Sequence, residues 1–142
     1  MIRNKFKKGN SLLEILLAIA IFTAGSIVVA LLVINAGITM RYAEESSKAL
    51  LYAKEGIEAM KSIRDQNFSN LVGENIGNHG VVIIDGSWSF SGSSTLEEDH
   101  YTRIISISAV TATTSKVVST VSWNFTEGKV NQVQLTTYLT DW

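Results

Sequence analysis

From Ile15 to Ile34 the chain reads ILLAIAIFTAGSIVVALLVI, 20 consecutive positions without a charge. Wound as a helix rising about 1.5 Å per residue, such a run reaches roughly 30 Å, the thickness of a bilayer's hydrocarbon core. It is greasy on every side, so packing one flank against a small domain does not satisfy it. The surroundings have to be lipid or other apolar helices. A secretory signal has a shorter apolar region closed by small residues. Ala24-Gly25-Ser26 offers such residues, which would release a soluble domain, but the apolar run continues well past them. The sequence therefore predicts a membrane span.

Charge placement gives that span an orientation. Four of the 12 basic residues, Arg3, Lys5, Lys7 and Lys8, fall within residues 1–9, where there is no acid; eight remain against 13 acids, a formal −5. A basic head before an apolar span marks the cytoplasmic side. With no cysteine, neither a disulfide framework nor a thiolate metal site is available. With no bulk positive charge, there is no general nucleic-acid footprint.

Beyond the span the helical pattern continues. RYAEESSKALLYAKEGIEAMKSIRD, Arg41 to Asp65, is rich in Ala, Glu, Lys and Leu. Ala43, Leu50 and Ile57 recur every seven residues, as do Ser46, Ala53 and Met60, giving one apolar stripe. Gly56 interrupts it modestly. A continuous helix from Leu12 to Arg64 would be roughly 80 Å long. After Asp65 a run of Asn, Ser and Gly reads as loop through Gly80. Strand patterns follow at Val81–Ile84, Ser87–Ser91, Tyr101–Val110, Lys116–Phe125 and Val130–Leu139. Trp88 and Phe90 share one face, as do Ile105, Ile107 and Ala109, and Val121, Trp123 and Phe125. Short connections (Asp85-Gly86, Thr111–Ser115, Glu127-Gly128) suit an antiparallel meander. The helical stripe Ala43, Leu50, Ala53, Ile57 and Met60 is the surface available to cover it. The expected class is α+β, with a basic leader over residues 1–9, an apolar helix over 10–40, an amphipathic helix over 41–65 and an antiparallel β domain over 66–142.

One carboxylate stands at the head of the apolar run, in Lys7-Lys8-Gly9-Asn10-Ser11-Leu12-Leu13-Glu14-Ile15-Leu16-Leu17. Ser11 and Glu14 fit the S-x-x-E capping box, in which each side chain bonds the other's backbone amide, and the helix dipole favours an acid there. A second reading is open. Gly9 permits the extended backbone that a protease needs before its scissile bond, and the polar pair Asn10-Ser11 follows at once.

On these residues the chain resembles the type IV pilins and pseudopilins. The family's signature is a short basic leader, a glycine, a cleavage point, and Glu as fifth residue of the mature chain in an apolar helix. Those positions are Lys7, Lys8, Gly9, Asn10 and Glu14 here, followed by Ile15-Leu16-Leu17-Ala18-Ile19-Ala20. The match is specific over about Lys7–Phe22 and architectural beyond it. It implies a pilin-like fold and a series of events. Prepilin peptidase cuts between Gly9 and Asn10 and methylates the new amine of Asn10. The subunit waits in the cytoplasmic membrane, N-terminus inside. An assembly platform and its extension ATPase then draw it into a helical homo-oligomer, a surface filament. In the filament core Glu14 pairs with the amine of Asn10. Two departures stand out: the family usually has an aromatic or Met where Asn10 stands, and often a proline where Leu31 stands. Other expectations are a pseudopilin of a type II secretion or DNA-uptake system, and an unprocessed single-span protein displaying a ligand-binding β domain.

The remaining candidates for chemistry are sparse. Glu97-Glu98-Asp99-His100 reads either as hard oxygen donors for Ca²⁺ or as a solvated hairpin loop, and its spacing matches no EF-hand. His79 and His100 do not make a zinc set or a catalytic triad. Asn67-Phe68-Ser69 and Asn124-Phe125-Thr126 fit the glycosylation sequon. Trp88 and Trp123 fall in strand patterns that suit a core, and Trp142 is terminal. With no phosphate-cradling glycine loop and no nucleophile beside a base, neither an enzyme nor a bound cofactor is expected.

Overall fold

The computed structural model describes residues 10–98, 100–126 and 128–141. The chain is α+β: a 57-residue helix, α1 (Asn10–Gln66), whose later part packs on an antiparallel sheet. It divides into two compact units, the first ending at Arg41 and the second beginning at Tyr42.

In the first unit every side chain from Leu12 to Arg41 is exposed, Phe22 at 75% and Leu31 at 55%. The hydroxyls within it turn back on their own helix. Thr23 Oγ1 donates to Ala20 O (3.0 Å), Ser26 Oγ to Phe22 O (2.9 Å) and Thr39 Oγ1 to Asn35 O (2.9 Å). Polar groups satisfied this way ask nothing of a surrounding solvent, as a lipid environment requires. By length and composition α1 can cross a membrane.

In the second unit α1 buries Ala49, Ala53, Gly56, Ile57, Met60 and Ile63. The stripe read as sevens is corrected at its start: Ala43 is exposed, Leu50 half-buried and Ile57 buried. A straight helix drifts by about 20° per heptad, so a strict seven-residue row slides off one face.

The strands are β1 (Gly77–His79), β2 (Val81–Ile84), β3 (Ser87–Phe90), β4 (Thr95–Glu97), β5 (Tyr101–Thr111), β6 (Thr114–Thr126) and β7 (Lys129–Thr140). The expected single meander is only partly there. β5, β6 and β7 form it, while β2 and β3 pair with each other as a separate hairpin. Asp85 and Gly86 both have positive φ (51° and 78°), as a tight two-residue hairpin turn demands. β1 and β4 lie inside segments expected to be loop. Both lie antiparallel to β5, β4 opposite Tyr101–Arg103 and β1 opposite Ile105–Ile107. At three residues each they are too short for alternation to reveal. Between β1 and β2, Gly80 is closed in by the carbonyls of Ser91 and Ser94, leaving no room for a Cβ.

The sheet's inner face is set by strict alternation: Tyr101, Arg103, Ile105 and Ile107 on β5, and Ser115, Val117, Ser119, Val121 and Trp123 on β6, are buried. Ala109, expected inside, is exposed, lying beyond the stretch that other elements cover. One core cluster joins Met60 and Ile63 to Leu71, Val81, Ile105, Val117 and Leu139. The other sets Ala49 and Ala53 against Tyr101, Val121 and Trp123, small residues on the helix facing large ones on the sheet.

Candidate functional site

The leader residues Arg3, Lys5, Lys7, Lys8 and Gly9 lie outside the described residues, as do Asp99 and Trp142. From the first described residue, Asn10, the backbone is already helical, and Ser11 lies within α1. The capping box read from Ser11 and Glu14 turns on the Ser11 side chain, which lies outside what the structure describes. Asn10 and Glu14 are four residues apart along α1, about one turn of helix. Glu14 is exposed among Leu13 (71% exposed), Ile15 (57%) and Leu17 (60%). No charged residue follows until Arg41. Among the described residues nothing pairs with Glu14 or covers the apolar surface that follows it. A carboxylate at the edge of so much uncovered apolar surface calls for a cation from elsewhere when that surface is buried.

The second unit contains a charged group that sequence reasoning missed. Arg103 sits at an inward position of β5 and is 1% exposed. A buried guanidinium is tolerable only if its donors are used. Nη2 contacts Glu97 Oε1 at 2.7 Å and donates to Val81 O at 3.2 Å; Nη1 donates to Tyr52 O at 3.3 Å and lies 3.4 Å from Glu55 Oε1. The guanidinium carbon is 5.9 Å from the centre of the Trp88 ring, within cation–π range. One side chain thus ties together α1, β2, β3 and β4. Nε keeps no hydrogen-bond partner among the described residues. The signal was available: an arginine interrupts the apolar register Tyr101, Ile105, Ile107, with acids just upstream at Glu97 and Glu98.

Glu97, read as part of either a cation site or a solvated loop, therefore belongs to an internal ion pair. Burial raises its pKa, Arg103 partly reverses that, and Glu55 and Glu98 add to the rise. A cavity of about 230 Å³ lies beside it, lined by Glu55, Val81, Trp88, Thr95, Glu97 and Arg103, among others. Thr95 Oγ1 is spent on β2, accepting from Val81 N (2.8 Å) and donating to Val81 O (3.1 Å). Among the described residues no group of three or more His, Asp or Glu is placed to hold a metal ion. His79 Nε2 lies 2.8 Å from Asn75 O, and its ring stacks on Phe90. His100 Nε2 is 3.7 Å from Glu45 Oε2.

Of the tryptophans, Trp123 is buried between Tyr42 and Tyr101, and Trp88 is half-buried. Of the two sequon asparagines, Asn67 caps the turn Phe68–Leu71, its Oδ1 accepting from Ser69 N (3.0 Å), and Asn124 is exposed on β6.

No protein-family model, no curated protein and no solved structure matches the chain.

Proposed function

We propose that this chain is a pilin-like structural subunit that polymerises into a type IV pilus-like surface filament. The observation that carries the reading is the fully exposed apolar part of α1 headed by one carboxylate, Glu14. The leader would hold the N-terminus in the cytoplasm until prepilin peptidase cleaves between Gly9 and Asn10. Residues 15–34 are then a membrane store before assembly and the filament core afterwards. On transfer from lipid to filament, apolar surface exchanges one greasy environment for another at little cost. Glu14 does not: left unpaired in a dry core, it would carry a desolvation cost of several kcal/mol. The amine freed at Asn10, on the same or a neighbouring subunit, supplies the cation. This pairing fixes the stagger of neighbouring helices. The protein acts as a building block, with no catalytic role, and its partners are further copies of itself, the peptidase and the assembly platform with its ATPase.

Intact-mass spectrometry of protein sheared from cells tests the processing step: a chain starting at Asn10 is expected, and one retaining residues 1–9 refutes it. A pseudopilin role differs in filament length and abundance, which the same sheared fraction measures. Glu14→Ala tests the register step. Subunits are expected to be processed and to remain in the membrane but not to enter filaments; normal filament yield would overturn the role given to Glu14.

A further inference from the structure

We propose that β7 is a docking edge for a second copy of this chain, pairing antiparallel with β7 of its partner about a two-fold axis through Gln134.

The two edges of the sheet are built differently. On one side β5 is covered by β1 and β4, three residues each. Short strands are one of the ways a protein blunts an edge against pairing. On the other side β7 runs 12 residues, pairs with β6 along its length, and has no strand on its outer edge among the described residues. None of the usual guards is present along it. The chain has no proline, the only charge in β7 is Lys129 at its start, and the register shift in the β6–β7 pairing falls between Asn124 and Thr126, at the turn end. A long unguarded edge offers a full row of backbone donors and acceptors.

Pairing between identical edges related by a two-fold axis is antiparallel, and it keeps each face of the sheet on the same side. Residues directly opposite must then belong to the same face. β7 residues facing the helix are Asn131, Val133, Leu135, Thr137 and Leu139; those facing away are Val130, Gln132, Gln134, Thr136 and Tyr138. With the axis at Gln134, Val130 stands opposite the partner's Tyr138 on the outer face, and the pair occurs twice. On the inner face Val133 stands opposite the partner's Leu135, also twice. Val130 is 67% and Tyr138 60% exposed, the two large apolar groups on the outer face of this strand. Val133 and Leu135 are half-buried at the margin of the core, which the pairing extends. Moving the axis to Val133 sets Val130 against Thr136 and Leu135 against Asn131. Moving it to Leu135 sets Tyr138 against Gln132 and Val133 against Thr137. Only the Gln134 register matches apolar to apolar on both faces, which is the pairing that stabilises adjacent strands.

The symmetry also says where the contact acts. The axis stands perpendicular to the sheet and reverses every direction lying in it, including that of residues 42–66 of α1, which pack on the inner face. Two copies joined this way point their helices in opposite directions. If the chain forms polar filaments, as proposed above, this contact joins antiparallel neighbouring filaments, not adjacent subunits within one.

The chain has no cysteine, so single cysteines report the register cleanly. In the full chain solubilised in detergent, Gln134→Cys places two thiols directly opposite, about 5 Å apart at Cα and within disulfide reach. Gln132→Cys separates them by about 13 Å along the strand. Disulfide dimer is expected to form roughly tenfold faster at position 134. Equal rates at both positions, a faster rate at 132, or no dimer at either overturns the proposal, the last including the case where another protein's strand covers the edge. A second variant uses self-repulsion: Gln134→Lys sets two like charges face to face and abolishes the dimer in sedimentation, whereas Gln132→Lys, opposite Thr136, keeps it. Far-UV circular dichroism confirms that both fold. Failure here leaves the filament reading standing, since processing at Asn10 is measured separately.

Discussion

At Gly56 α1 lies against the sheet with no room for a Cβ, and replacing it with alanine sets two magnitudes against each other. Exchanging Gly for Ala inside an exposed helix gains about 1 kcal/mol. Here the new methyl would stand 2.6 Å from Ser119 Oγ, 2.8 Å from Ile105 Cδ1 and 3.1 Å from Arg103 Cδ. Ser119 Oγ has no hydrogen bond to hold it and can turn away. Ile105 is fully buried, and Arg103 is fixed by Glu97, Val81 and Tyr52. Overpacking of this kind costs about 1–3 kcal/mol, so Gly56→Ala is expected to destabilise by roughly 1 kcal/mol net and Gly56→Val by about 3. The closest clash is with an oxygen that bonds nothing, so Ser119→Ala alone should be neutral or stabilising. Added to Gly56→Ala it should recover roughly 1 kcal/mol, a coupling visible in a double-mutant cycle. The assay is equilibrium urea unfolding of the full chain in detergent, followed by tryptophan fluorescence, with Trp123 in the core as reporter. A Gly56→Ala variant more stable than the parent by the full helix-propensity gain would refute the close approach of helix to sheet.

Removing the cation at Arg103 is expected to be far more damaging than removing the exposed acid beside it, Glu55. Arg103→Met leaves Glu97, whose side chain is 21% exposed, without its partner and should cost about 3–5 kcal/mol by the same unfolding assay. Glu55→Gln should cost about 0.5 kcal/mol or less, because that side chain is 45% exposed and rehydrates; equal losses for Arg103→Met and Glu55→Gln would contradict the network. Burial, and then the hydrogen bond the phenol donates to Glu98 and the charge on Glu98, push the Tyr52 phenol up to about 12. An unfolded tyrosine loses its proton near pH 10, so above that the folded state holds more protons than the unfolded one and stability falls as pH rises from about 10 toward 12. Unfolding curves across that range should show the fall, and Tyr52→Phe should flatten it; an unchanged slope in the variant would assign the effect to another group.

The long helix and the position of its apolar part were legible in the sequence because both rest on local rules: an uncharged run of membrane length, then Ala, Glu, Lys and Leu at helical spacing. The strands β2, β3, β5, β6 and β7 were legible because period-two alternation over four or more residues is also local. What the sequence left open depended on partners distant along the chain. β1 and β4 are strands only because β5 offers them an edge. Glu97 is a structural ion-pair partner only because Arg103 is carried beneath it, and Arg103 is tolerable in the core only because Tyr52, Val81, Glu55 and Glu97 converge on it. Gly56 looks like a defect in a helix read alone, and becomes a contact point once Ser119 lies against it. Glu14 is the reverse case: its place at the head of an apolar helix is written in the chain, and none of the described residues completes it. Local spacing determined the elements and the exposed carboxylate. Tertiary structure decided which charges are buried, which edge of the sheet is covered, and which is left open, because burial and pairing are properties of surfaces that meet only when the chain has folded.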